Sequence, residues 1–428
     1  MRGEGNSGHV YFRFVTQREE IEQSLRSRPI PTGFPSSVML PDYDGLSIVA
    51  IPSLIEALLT QSETLSPLQE ALSLPSFDRV VFLILDGFGY HAFQRIRAAG
   101  DIPTLDRLGS RGTLLPLTTV FPSTTVTALT TLATGLPPIA HGMIGYRLYL
   151  RETCAITDMI RLQLVASCTS LSAAEAGLDL DRLLPTSTAY ERLDARGVTS
   201  HVLLPHAIAQ SGLSQVLYRG CPHVEPTMGF ADMCVRAREI LELSAGRCFL
   251  TLYWPGLDAI AHVRGPETAA YRAEAASIDA ALAAQLVDRL DDTLLLVSSD
   301  HGFVSMRPDD YIELSEFPGI RDRLVRLPVG EPRASYLHVR DGVQPPRQEL
   351  RSLRDGLLHL QSDRLLSSGL LGNEPPHAEI LHRLGGEAII STGSAGIYHA
   401  YPEAPRLRGM HGGLTEEEML VPFIASAL

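Results

Sequence analysis

The chain has no lysine: all 36 of its basic residues are arginine. That absence removes Schiff-base lysines, P-loop phosphate-binding lysines and lysine general bases at once. Cysteine is scarce as well. The five cysteines (Cys154, Cys168, Cys221, Cys234 and Cys248) are odd in number and show no CxxC spacing. Neither a disulfide framework nor a thiolate zinc site is expected, and buried free thiols in a reducing compartment are the reading that follows. No apolar run reaches the ~18 residues of a membrane span. The opening "MRGEGNSGHVYFRFVTQREE" lacks the apolar segment of a secretory signal, so the expected location is cytoplasmic. Positive charge in excess is also missing. A net charge of −13 argues against nucleic acid or an anionic membrane surface as a bulk partner.

What remains is an ordinary globular composition, 45% hydrophobic and 20% charged over 428 residues. That length suits one large α/β domain with insertions, or two to three small ones. Strand-like apolar runs recur at Val80 to Leu85, Val198 to Leu204, Cys248 to Tyr253, Thr293 to Ser298 and Leu420 to Ile424. Helical patterns separate them, among them "LSIVAIPSLIEALL", "PTLDRLGSRG" and the long stretch from Pro266 to Leu290. The alternation predicts a doubly wound, mostly parallel α/β sheet with helices on both faces. Residues 1–38, with a Pro/Gly/Ser cluster at "RPIPTGFPSS", read as an N-terminal extension to a catalytic domain over 39–428. Residues 146–190 and 306–408 break the alternation and read as insertions forming a cap over the carboxyl edge of the sheet.

The chemistry-bearing residues gather at strand ends. "VVFLILDGFGYH" runs from an uninterrupted apolar strand into Asp86, flanked by Gly87 and Gly89. "CFLTLYWPGLDAIAH" leads from a strand to Asp258 and His262, whose i, i+4 spacing puts both on one face of a helix. "TLLLVSSDHGF" ends in adjacent Asp300 and His301, and "RGMHGG" places His411 before the last strand. Any one of these is more often a turn or a surface pair than a ligand. Six together at one edge of one sheet are not. Three crowded carboxylates repel one another unless something positive lies between them. Imidazole and carboxylate without thiolate suit Zn²⁺, with Mn²⁺ or Fe as alternatives, and six ligands suit two ions. The glycines beside Asp86 are expected to let metal and phosphate approach the backbone.

A nucleophile candidate lies in "TTVFPSTTVTALTTLATGLPPIAHGMIGY", residues 118–146. A strand-like run ends at Phe121-Pro122-Ser123 and a helix is predicted from Thr124-Thr125. Hydroxyls there ordinarily cap the helix. Beside a metal pair they gain a second role, because a metal lowers the pKa of a bound hydroxyl and a helix N-terminus favours an anion.

Taken together, "LILDGFG", "FPSTTVTALTTLATGLPPIAHGMIGY", "GLDAIAH", "SSDHGF" and "MHGG" resemble the alkaline phosphatase superfamily, and within it the type I phosphodiesterase/nucleotide pyrophosphatase branch. The motifs span residues 80–413 in the family's order. The resemblance implies that Asp258, His262 and His411 bind one zinc and that Asp86, Asp300 and His301 bind the other. Thr125, the second residue after "FPS", matches the family's threonine nucleophile and would also touch the second metal; Thr124 and Thr127 are weaker candidates. His141 in "PIAHG" is expected to be structural. The implied activity is metal-dependent hydrolysis of a small phosphate ester or nucleotide through a covalent threonine intermediate.

The chain also departs from the family. Nucleotide pyrophosphatases carry Asn-His three and four residues after the nucleophile, where this chain has Ala128 and Leu129. Arg147 or Arg151 from the first insertion is the expected substitute contact to substrate. A phosphomonoesterase on the same metal site is the alternative, and a non-catalytic binding protein on this fold is a more distant one. The sulfatase branch lacks its C/S-x-P-x-R context here, and the phosphoglycerate mutase branch needs a lysine that the chain does not have.

Overall fold

Strand Arg79–Leu85 lies in the middle of a seven-stranded sheet. In order across it run Thr113–Thr118, Leu420–Ala427, Thr293–Ser298, Arg79–Leu85, Cys248–Trp254, Thr199–Pro205 and His223–Thr227. All neighbours pair in parallel except Leu420–Ala427, which is antiparallel to both of its partners. The unbroken apolar run has a direct cause. Val80, Phe82 and Ile84 enter one apolar layer, and Val81, Leu83 and Leu85 enter the other, so both faces of the strand are buried.

Helices supply the two layers. Ala50–Thr60 and Thr125–Thr134 cover one face through Ile51, Leu54, Val126 and Leu129. Pro103–Arg111, Phe230–Leu243 and Ala269–Gln285 cover the other through Leu105, Met233, Ile278 and Leu282. The helix expected from Pro266 to Leu290 starts later because Thr268 caps it, accepting from the N–H of Tyr271. This computed structural model describes residues 18–60, 68, 72, 74–165, 171–399 and 407–428. Of the expected extension over 1–38, residues 1–17 lie outside the described residues. Residues 18–26 form a helix that buries Leu25 and pairs Arg26 with Glu416 at 2.5 Å.

The two segments that break the alternation build one second sheet. Its order is Leu357–Gln361, Glu387–Ser391, Ala334–Leu337, Val329–Glu331, Arg147–Leu150, Ala155–Asp158 and Gln163–Leu164. Every pairing in it is antiparallel. The halves join where Gly330 pairs with Arg147. Among the described residues no helix is long and apolar enough to cross a membrane.

Candidate active site

Three neighbouring strands of the central sheet deliver the three carboxylates. Asp86 directly follows Leu85, Asp300 lies just beyond Ser298, and Asp258 sits in the first turn of helix Gly256–Arg264 after strand Cys248–Trp254. His262, one turn on from Asp258, brings its Nε2 to 3.3 Å from Asp258 Oδ1. His411 comes from the loop before the last strand; its Nε2 is 3.8 Å from the same Oδ1 and 3.2 Å from His262 Nε2. The rings of His301 and His411 stack with centroids 3.7 Å apart and planes 16° from parallel.

Each histidine is oriented from behind by a backbone carbonyl. His262 Nδ1 lies 2.9 Å from Gly409 O, His301 Nδ1 3.1 Å from Gly302 O, and His411 Nδ1 3.1 Å from Ser123 O. A carbonyl oxygen only accepts, so each Nδ1 carries a proton and each Nε2 is turned to the centre. His262 and His411 face each other through these atoms beside Asp258; burial lowers the His262 pKa, Asp258 outweighs it and the net shift is upward, so the site favours positive charge at this point. The carboxylates point the same way. Asp86 Oδ1, Asp258 Oδ1 and Asp300 Oδ2 are buried and have no hydrogen-bond partner.

The second oxygens of Asp86 and Asp300 are occupied. Asp86 Oδ2 accepts from the Tyr253 hydroxyl, and Asp300 Oδ1 accepts from the N–H groups of Gly87 at 3.0 Å and His301 at 2.9 Å. Two clusters have metal-ligand spacing: Asp258, His262 and His411; and Asp86, Asp258 and His301. Asp258 belongs to both. Asp300 Oδ2 is 3.3 Å from His301 Nε2, and Asp86 Oδ1 is 3.6 Å from it. Orphaned buried acceptors of both types therefore fit divalent cations.

The electrostatics agree. Burial, then the charges of Asp300 and Asp258, push the Asp86 carboxyl well above its usual range. Burial opposes ionisation of Asp258 too, but His262 outweighs it and the net shift is downward. Burial, followed by His301 and His262, holds His411 well below the usual imidazole value, which favours the neutral form, the one in which an imidazole can bind a metal.

Thr125 is the first residue of helix Thr125–Thr134, and its Oγ1 lies 3.2 Å from His301 Nε2. Of the three threonine candidates it is the one that is not buried. Thr124, at the N-cap position, makes no side-chain cap bond; its hydroxyl donates to Glu331 Oε1 at 2.7 Å. Thr127 is fully buried. Ala128 is buried in the core, and Leu129 lines an apolar cavity of about 170 Å³ beside Asp86 and Thr125. His141 is buried, with Nε2 3.0 Å from Thr131 Oγ1 and Nδ1 accepting from the Met143 N–H, so both ring nitrogens serve structure.

Two expectations need correction. The glycines beside Asp86 make room for protein, not ligand. Gly87 has φ +74°, and a Cβ there would meet the Phe303 ring at 2.5 Å; a Cβ on Gly89 would meet Gly302 Cα at 2.6 Å. Arg151 pairs with Glu379 at 2.6 Å and lies outside the cleft above Thr125, because its exposed side chain finds a carboxylate first. Arg147 does line that cleft, which has a volume of about 480 Å³ and also holds Thr124, Asp258, His262, Glu331 and His411.

Glu331 and Arg161 are cleft residues that no motif announced. Glu331 Oε1 accepts from Thr124 and from the N–H of Tyr146 at 2.6 Å, and burial pushes its pKa up to about 7. Two residues on, buried Arg333 pairs with buried Glu418 at 2.5 and 2.8 Å, and Glu418 in turn accepts from the N–H of Gly413 at 2.8 Å.

Residues 80–364 match the family model described as type I phosphodiesterase / nucleotide pyrophosphatase. No curated protein matches the chain in sequence. Among solved structures, an inactive variant of murine ectonucleotide pyrophosphatase/phosphodiesterase 5 in complex with AMP superposes with a TM-score of 0.63 at 16% identity, covering 81% of this chain and 87% of that one. Phosphonoacetate hydrolase from Sinorhizobium meliloti 1021 in complex with phosphonoformate gives 0.62 at 19% identity, covering 81% and 89%. At these identities the likeness is one of fold.

Proposed function

The chain belongs to the type I phosphodiesterase / nucleotide pyrophosphatase family, and from that premise we propose that it hydrolyses phosphodiester or pyrophosphate bonds of nucleotide-like substrates, using two divalent cations and Thr125. One observation carries the reading: three inward Nε2 atoms and three orphaned carboxylate oxygens meet beside Thr125 Oγ1. Asp258, His262 and His411 would hold one cation, and Asp86, Asp300 and His301 the other. The donor set favours Zn²⁺, with Mn²⁺ or Fe as alternatives. When bound, the cations supply Lewis-acid polarisation of the phosphoryl group and lower the pKa of a coordinated hydroxyl.

The chain's own groups do the rest. Thr125 Oγ1 gives its proton to solvent and bonds to phosphorus as the bond from phosphorus to the leaving oxygen breaks; water then attacks the same phosphorus, the Oγ1–P bond breaks, and Oγ1 regains a proton. Because Glu331 holds the Thr124 hydroxyl, no side chain caps helix Thr125–Thr134. Its first-turn N–H groups are left for a phosphoryl oxygen. Arg147 lines the cleft wall, which supports a contact from it to substrate.

The test compares kcat/KM for bis-p-nitrophenyl phosphate, a nucleotide p-nitrophenyl ester and p-nitrophenyl phosphate at one pH and metal concentration. A diester should win by at least about tenfold, which takes ~1.4 kcal/mol of differential transition-state binding. Arg147 in the cleft is the observation that favours a phosphomonoesterase instead, since a dianionic group calls for a further positive contact. A faster monoester replaces the diesterase reading with that one. No hydrolysis of any of the three would leave a binding protein.

A further inference from the structure

We infer that the cleft wall around Tyr146 is an anion subsite: Arg161, with Arg147 beside it, receives the second anionic group of a substrate that carries two, as a pyrophosphate-bridged nucleotide does. The inference rests on the phosphodiesterase reading above and narrows its substrate class.

Both arginines line the cleft that holds Thr125 and the ligands Asp258, His262 and His411. Arg147 pairs across the second sheet with Asp158, and Arg161 follows three residues after that aspartate. The guanidinium carbon of Arg147 stands 5.0 Å from the centroid of the Tyr146 ring. The carboxylate between them is occupied elsewhere. Asp158 Oδ1 accepts from the backbone N–H groups of Ile160 and Arg161, both at 3.0 Å, and Oδ2 accepts from the Tyr146 hydroxyl at 2.6 Å. It therefore holds the loop and the phenol and is not paired with a guanidinium.

Arg161 is exposed to the cleft and makes no ion pair among the described residues. The contrast with Arg151, from the same segment and paired with Glu379 at 2.6 Å, is informative in a chain with 49 acidic residues against 36 basic ones. Both cleft charges reach the same point. The Tyr146 phenol is pushed up by burial and Asp158, while Arg147 and Arg161 pull it the other way. At about 480 Å³ the cleft is larger than one phosphoryl group needs and falls within the usual size of a small-molecule site. The Arg161 guanidinium, which has no carboxylate partner among the described residues, is suited to bidentate recognition of a phosphate.

Two substrates sharing one nucleotidyl half isolate the subsite: the p-nitrophenyl ester of a nucleoside 5′-monophosphate, and the dinucleoside pyrophosphate of the same nucleoside. The readout is the ratio of kcat/KM for the pyrophosphate to that for the aryl ester, which cancels intrinsic reactivity when variants are compared with wild type. Arg161→Gln should lower that ratio by about tenfold, and Arg161→Lys, which keeps the charge, by less. The exposed position of Arg161 makes loss of the fold an unlooked-for outcome, and a melting curve alongside checks it. An unchanged ratio in both Arg161→Gln and the Arg147→Gln/Arg161→Gln double variant overturns the subsite. So does an equal loss on both substrates, which would put the arginines on the scissile phosphate. If wild type cleaves the aryl ester but not the pyrophosphate, the subsite falls and the diesterase reading stands. If it cleaves neither with metal supplied, the diesterase reading itself fails and takes the subsite with it.

Discussion

The Thr124 hydroxyl donates to Glu331 Oε1 at 2.7 Å, and that bond ties the start of the Thr125 helix to the second sheet. Glu331 also accepts from the Tyr146 N–H at 2.6 Å, so one carboxylate oxygen spans both halves of the cleft. If Glu331 acts through Thr124, Thr124→Val and Glu331→Ala should each lower kcat by about ten- to a hundredfold, and the double variant should be no worse than the poorer single one. Glu331→Gln keeps an acceptor and should be milder. Additive losses in the cycle would show that the two residues act separately.

Thr125→Ala should keep the fold and its metal affinity and lower kcat by about 10³-fold or more, while Thr125→Ser retains part of the activity. Steady-state kinetics on the nucleotide aryl ester measures this. A Thr125→Ala variant as active as wild type would remove Thr125 from the chemistry.

Arg333 and Glu418 are both fully buried and bound to each other, and Glu418 also holds the Gly413 N–H in the loop after His411. Arg333→Met strands a buried carboxylate and should cost about 3–5 kcal/mol of unfolding free energy. It should also weaken metal affinity by loosening the His411 loop. Urea unfolding with metal in excess checks the first effect, and a loss below ~1 kcal/mol would contradict it.

Acid should destabilise the protein through His141. Burial, followed by the charges of His377 and Arg383, lowers its pKa from 6.5 to about 3. The unfolded chain then binds more protons than the folded one between those values, so this contribution is present above pH 6.5 and is lost as pH falls toward 3. Between pH 7 and pH 5 the loss from this one residue is on the order of 2 kcal/mol. Denaturant midpoints at the two pH values should differ less in His141→Gln than in wild type; an equal difference would sink the assignment.

The carboxyl-edge residues were legible because each motif is local. A strand that ends in Asp, or in Asp-His, places its side chains by sequence adjacency alone, and the run from Val80 to Leu85 declared a strand buried on both faces. The second sheet was not legible. Its strand Val329–Glu331 has three residues, one a glycine, and too few for any period to show, and its partner in Gly330–Arg147 pairing lies in the other insertion. Glu331 and Arg161 were missed for that reason, since only tertiary pairing brings them to Thr125. The role given to Gly87 and Gly89 failed on another ground: sequence reports a missing Cβ, but not that Phe303 and Gly302 fill the space.

The most direct test of the proposed two-cation centre is a titration of chelator-stripped protein with Zn²⁺, reading hydrolysis of the nucleotide p-nitrophenyl ester. If the proposed centre is right, with Asp258, His262 and His411 on one cation and Asp86, Asp300 and His301 on the other, activity should be absent without metal and return in full at two equivalents per chain. Full activity in excess chelator would contradict the account.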